Sequence, residues 1–101
     1  MKSKKRTESV HDKKVKQVAK QFERQGWNVK ADIGEFDSPD SIGQNNFVPD
    51  IVAKKSGATK IIEVETKRSL ETDKNQQEAF RRSAGQKNRM TFEIIIADEN
   101  K

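Results

Sequence analysis

Glu63 and Glu65 stand two residues apart in Lys60-Ile61-Ile62-Glu63-Val64-Glu65-Thr66, a run otherwise built largely of Ile and Val. Strand side chains alternate faces, so both carboxylates project from one side. A carboxylate buried on such a strand without a counter-cation is costly. Asp50 opens a second short apolar run, Asp50-Ile51-Val52-Ala53, and residues 54–58 read as the turn that folds the two runs into a hairpin. Antiparallel pairing then sets Asp50 beside the end of the strand that carries the two glutamates. Three converging carboxylates form a donor set for a hard, oxygen-preferring cation such as magnesium or manganese. An ion of that kind acidifies a bound water and neutralises charge building on a phosphate, which is the chemistry of phosphodiester hydrolysis. Lys67 falls one further pleat along the same face if the strand continues that far, where its ammonium would help to place the water or the phosphate.

Each residue alone has a plainer explanation. An aspartate after proline is a common turn residue, and Pro39-Asp40 repeats the dipeptide with no strand behind it. Glu63 and Glu65 also suit a solvated outer strand face. His11 suits a helix start, Trp27 a core position, and the basic run Lys2 to Arg6 either a solvated tail or a phosphate-binding arm. What favours a site is the conjunction of order, spacing and flanking elements.

Those elements follow from periodicity. Residues 8–25 read as a helix, with Val15, Val18, Ala19 and Phe22 on one face and Gly26 as the stop. His11 and then Glu8 extend that face towards the N-terminus. Residues 27–33 alternate as a half-buried strand through Trp27, Val29, Ala31 and Ile33. Residues 34–47 are rich in Gly, Pro, Ser, Asn and Asp and read as a loop. The hairpin follows, with strands from Pro49 to Ala53 and from Lys60 to Thr66. A second helix is expected over residues 73–85, capped by Thr72 or Asp73, with Phe80 and Ala84 on its inner face. Residues 92–97 form a last strand so apolar that burial on both faces is expected.

The spacing of the acids and the order of the elements together resemble a known family. Pro49-Asp50, followed after twelve residues by Glu63-Val64-Glu65, is similar to the PD-(D/E)XK nuclease superfamily, which includes type II restriction enzymes and archaeal Holliday-junction resolvases. The likeness spans nearly the whole chain, because helix–three strands–helix–strand is the order of that superfamily's restriction-endonuclease-like core. It implies an α/β fold with a mixed, mainly antiparallel sheet flanked by helices. It also implies that Asp50 and Glu63 bind the metal. The third position is usually lysine in that family, although some members carry glutamate, as Glu65 does here. Gln76 and Phe80 are spaced like the Gln-x-x-x-Tyr feature of RecB-related nucleases, with phenylalanine in place of tyrosine. Family members also bring a glutamate or histidine from the first helix near the metal, a role open here to Glu8 or His11.

Composition bounds what remains. The 101 residues suit one domain, here 8–101, preceded by a basic flexible arm over 1–7. Hydrophobic residues make up 31% and charged residues 37%, against a usual ~25% charged, so the core must come from the few apolar runs named above. Residues 1–30 hold ten Lys/Arg and three Asp/Glu, whereas residues 31–50 hold five acids and no base. A basic part beside an acidic part suits a protein that meets both phosphates and metal cations. With no cysteine, disulfides and thiolate zinc sites are excluded. The longest apolar run, Ile94 to Ala97, is far short of the ~20 residues of a membrane span. No hydrophobic stretch follows the basic N-terminus, and no Gly-rich phosphate loop or serine or cysteine nucleophile arrangement is present. The expectation is a cytoplasmic, magnesium- or manganese-dependent DNA endonuclease or resolvase. Its expected site comprises Asp50, Glu63, Glu65, Lys67 and Gln76, with the three acids on the metal. It would act on duplex or branched DNA as a homodimer, because so small a domain has little surface to grip a duplex. The alternative is a nuclease-like module that binds nucleic acid or a protein without cutting, for which Glu65 in the lysine position is the argument.

Overall fold

The computed structural model describes residues 9–43 and 45–97. The basic arm over 1–7 and Glu8 lie outside the described residues. Helix α1 (Val10–Arg24) starts where Ser9 accepts a hydrogen bond from the Asp12 N–H, a cap that contributes ~1 kcal/mol. It ends at Gly26, whose φ of +92° favours glycine. Its buried stripe is Val15, Val18 and Ala19, with Phe22 packed alongside.

Four strands form one sheet in the order β1-β2-β3-β4: β1 (Asn28–Ala31), β2 (Ile51–Lys55), β3 (Ala58–Glu65) and β4 (Met90–Ile96). The β2–β3 hairpin turns through Ser56 and Gly57 at φ +51° and +85°. Positive φ at both central residues is the two-residue turn that matches strand twist. It fixes a register in which Ile51 faces Ile62 and Lys55 faces Ala58. β4 runs parallel to β3, which requires a crossover. Two helices provide it, α2 (Lys67–Thr72) and α3 (Lys74–Gly85). The sheet is therefore mixed and mainly antiparallel with helices around it, as the α/β restriction-endonuclease-like expectation requires.

The pleat sorts β3 into two faces. Ile62 and Val64 join Val15, Val18, Ala19, Ala31, Ile51 and Ala97 in the core beneath α1. On the other face Ile61 is fully buried, as is Phe80 of α3, whose ring meets Phe92 of β4 and Phe47 of the long loop. Glu63 and Glu65 follow Ile61 on this second face. No helix among the described residues is long and apolar enough to cross a membrane.

Several expectations need correction. β3 stops at Glu65, because Thr66 caps α2 in a reciprocal capping box with Ser69. Lys67 is thus the first residue of a helix rather than a further position on the strand. β4 is not buried on both faces: it is an edge strand with one neighbour, and its side chains are half-buried or exposed, Ile96 at 43%. The helix expected over 73–85 is α3, which begins at Lys74 after Asp73 without a side-chain cap, and the short α2 before it is not among the expected elements. β1 is also shorter than the alternation predicts. Trp27 precedes it, half-buried edge-on against Phe22, with the Lys55 and Lys60 ammonium groups near its ring.

Candidate active site

Asp50 sits at the entrance of β2, one residue before the Ile51–Ile62 pair, so it lies across from Glu63. Two short hydrogen bonds lock this junction. The Asp50 N–H donates to Glu63 Oε2 at 2.8 Å, and the Val64 N–H donates to Asp50 Oδ2 at 2.8 Å. The two acids therefore complete the strand ladder where backbone pairing ends, each by satisfying the other strand's amide.

Glu63 is 2% exposed and Glu65 1% exposed. Among the described residues, no lysine or arginine forms an ion pair with Asp50, Glu63 or Glu65. Burial, seconded by the Asp50 charge, pushes the Glu63 carboxyl up to about 8, against the pull of the Asp50 N–H. In the metal-free protein Glu63 thus keeps its proton to a much higher pH than an ordinary glutamate. The neighbouring positive charge is His11 of α1, whose Nε2 lies 3.2 Å from Asp50 Oδ2 and whose Nδ1 lies 3.1 Å from Asp12 Oδ1. The hydrogen bond to Asp50 raises the imidazole to about 9, so it is protonated at neutral pH and donates from both nitrogens.

α3 closes the site from above. Gln76 Nε2 donates to Glu63 Oε1 at 3.0 Å. Its neighbour Gln77, 7% exposed, reaches Glu65 Oε2 at 3.4 Å and the Leu70 carbonyl at 3.2 Å. Ser69 of α2 donates to Glu65 Oε1 at 2.6 Å. Burial raises the Glu65 carboxyl as well, while the Ser69 hydrogen bond opposes the rise.

The sequence-derived residues are therefore distributed as follows. His11, Asp50, Glu63 and Gln76 form one hydrogen-bonded chain linking α1, the β2–β3 junction and α3. Glu65 lies on the same face but is held by a second set, Ser69 and Gln77. Lys67 is exposed on α2. Sequence reasoning missed Ser69 and Gln77. Thr66-Lys67-Arg68-Ser69 could have revealed the first, since a hydroxyl residue followed three positions later by a side chain able to reach back is a helix-start pattern. His11 reaches Asp50, while the alternative Glu8 lies outside the described residues.

The donor chemistry fits a hard cation. Among the described residues, no three His, Cys, Asp or Glu side chains form a ready ligand cluster. Magnesium, however, is commonly held by one or two carboxylates together with waters and substrate phosphates. Asp50 and Glu63 supply two such carboxylates, and the proton on buried Glu63 marks where a cation would relieve a desolvated charge.

No curated protein matches this chain. The family model described as REase_AHJR-like matches residues 3–101, nearly the full length. With the acids at the β2–β3 junction of a mixed sheet between helices, the chain belongs to this AHJR-like, restriction-endonuclease-like family, and so to the nuclease superfamily.

Proposed function

We propose that this chain is a divalent-metal-dependent nuclease that hydrolyses DNA phosphodiester bonds in the manner of an endonuclease or resolvase. The observation that carries the reading is the pairing of buried Glu63 with half-buried Asp50, an acid couple locked by strand hydrogen bonds and lacking a lysine or arginine partner among the described residues. Asp50 and Glu63 would hold magnesium or manganese, which would supply an acidified water and charge neutralisation at the phosphate. Gln76 fixes one oxygen of Glu63, leaving its carboxylate a single orientation. His11, 3.2 Å from Asp50, would balance its charge in the absence of a cation. Glu65 accepts a proton from the attacking water or joins the ligands. Lys67, on the exposed first turn of α2, pairs with the substrate phosphate. A domain of this size grips duplex or branched DNA as a homodimer presenting two sites.

A second reading has its own observation. Glu65 occupies the position where the superfamily usually has lysine, and both of its oxygens are engaged internally by Ser69 and Gln77. A fold that ties up this group suits a module that binds nucleic acid or a protein without cutting. Incubation with supercoiled, linear, single-stranded and branched DNA, with and without manganese, separates the two. Manganese-dependent nicking or cutting is expected. Binding without cleavage under every metal would transfer the function to the binding module.

A further inference from the structure

At the other end of the face that carries Glu63 lies a cavity of about 470 Å³. Its floor is the sheet: Asn28 faces Lys54, Lys30 faces Val52, and Val52 and Lys54 face Ile61 and Thr59. Residues 40–42 of the long loop form one wall, and Lys87 with Met90 the other. Lys30, Lys54 and Lys87 are all exposed, and Asp40 is the one acid among the described residues of the lining. No ion pair to any of the three lysines is found among the described residues. Three exposed lysines thus line a concave surface whose floor, through Val52 and Ile61, is apolar.

Strand geometry sets the distance to the acids. Asp50 and Lys54 are four residues apart on β2, about 13 Å at ~3.3 Å per residue. One strand of a duplex rises ~3.4 Å per phosphate along the axis while winding around it, so a straight span of that length reaches a backbone phosphate a few nucleotides away. The Phe47–Phe80 contact lies on this same face between the cavity and the acids. The cavity is therefore a separate anchor rather than an extension of the acid site.

We infer that this lysine-lined cavity, walled by the 40–42 loop, holds backbone phosphates of the nucleic acid strand a few nucleotides from the bond presented to Asp50 and Glu63. The inference rests on the nucleic-acid part of the proposed function and not on hydrolysis. Strand phosphates are favoured over an isolated small anion because the three charges are set apart, Lys30 and Lys54 on neighbouring strands and Lys87 on the wall, so that they suit more than one phosphate. Exposed lysines also meet phosphates at little desolvation cost.

The test measures affinity of the full chain for a fluorescent duplex, and for its single strand, against salt in the presence of a chelator. Replacing Lys30, Lys54 and Lys87 together by Gln should flatten the log–log salt slope by up to about 2.7, at ~0.9 for each duplex phosphate that is no longer neutralised. Asp40→Asn should act in the opposite direction and tighten binding. The manganese-induced rise in melting temperature should be the same in all of these proteins, which also shows that they fold. An unmoved slope overturns the inference, and so does failure of the parent to bind either strand form. An equal loss per charge in Lys20→Gln/Arg24→Gln, on α1 across the sheet, reduces the effect to net charge and also overturns it. Competition by a mononucleotide as effective, per phosphate, as the strand would reassign the cavity to a small anion. If the slope falls as expected but the parent cleaves nothing with manganese, hydrolysis fails and the anchor stands.

Discussion

Replacing Glu63 by Gln should make the metal-free protein less sensitive to alkali. The Glu63 carboxyl moves from an ordinary value near 4.5 to about 8 on folding, chiefly through burial. A group whose folded pKa is raised holds its proton more tightly in the native state. Its stabilising contribution is therefore complete below about pH 4.5 and is lost as pH rises through about 8. At about 1.4 kcal/mol per pH unit, the ceiling on that loss is on the order of 5 kcal/mol. Water entry and side-chain relaxation at the cleft should reduce it to roughly half. For a domain of this size, 1 kcal/mol moves the melting temperature by ~4–8 °C, so the loss amounts to on the order of 10 °C. Gln keeps the shape, accepts from the Asp50 N–H and never ionises.

The assay is thermal melting of the parent and Glu63→Gln in chelator from pH 5 to pH 9. Parent and variant should differ little at acid pH, and the parent should fall below the variant as pH passes neutrality. His11, raised to about 9 by Asp50, adds a loss of the same sign between about pH 6.5 and 9 in both proteins. Because the imidazole is partly exposed, that shared slope is the smaller one. Manganese should then rescue the parent at alkaline pH, where the proton has left Glu63, and do little for the variant. Parallel pH curves for the two proteins would show that Glu63 does not carry the buried charge, and the electrostatic argument for a cation would fail.

Other outcomes can be checked directly. Asp50→Ala should abolish manganese-dependent cleavage of plasmid DNA while circular dichroism stays native; parental cutting would mean the metal is held elsewhere. Glu65→Gln should slow cleavage at least about tenfold, on the order of 1.4 kcal/mol of barrier, and an unchanged rate would leave Glu65 a packing role. Deleting residues 1–6 should weaken the salt dependence of DNA binding by the equivalent of a few phosphates without altering the manganese-induced melting shift. Phe80→Ala, which removes a fully buried ring between Phe47 and Phe92, should cost ~3–5 kcal/mol in chemical denaturation.

Period and turn chemistry made the acid pair legible in the sequence. Two-residue spacing put Glu63 and Glu65 on one face, and Ser56-Gly57 set the register that brings Asp50 opposite Glu63. The apolar stripe of α1 was equally plain, since Val15, Val18 and Ala19 are the residues buried in it. Less was visible where tertiary position overrides local pattern. Nothing in Ile94-Ile95-Ile96 tells a central strand from an edge strand, because that depends on how many neighbours the topology supplies. Nor did the loop composition of residues 34–47 reveal that Phe47 would pack on Phe80, or that residues 40–42 would wall a cavity.

The capping box at Thr66 matters most, because it governs the surroundings of Glu65. Had β3 run on, Lys67 would have lain one pleat beyond Glu65, the nearest cation to the third acid. Capping by Thr66 instead turns the chain out of the sheet at once and swings Lys67 into solvent. The same turn carries Ser69 back to Glu65 at 2.6 Å, and the crossover helix that follows supplies Gln77. Glu65 thus has neutral hydroxyl and amide donors where a strand continuation would have supplied an ammonium. Neutral donors can satisfy a buried carboxyl in either protonation state, whereas a lysine would have fixed it as the anion. With Glu63 protonated and His11 charged in the metal-free protein, every acid of the cluster has a local means of existing without a cation. The site can therefore fold without a cation, and on the proposed function metal binding would release a proton from Glu63. That release is measurable as an uptake of base on adding manganese near neutral pH, and it should vanish in Glu63→Gln.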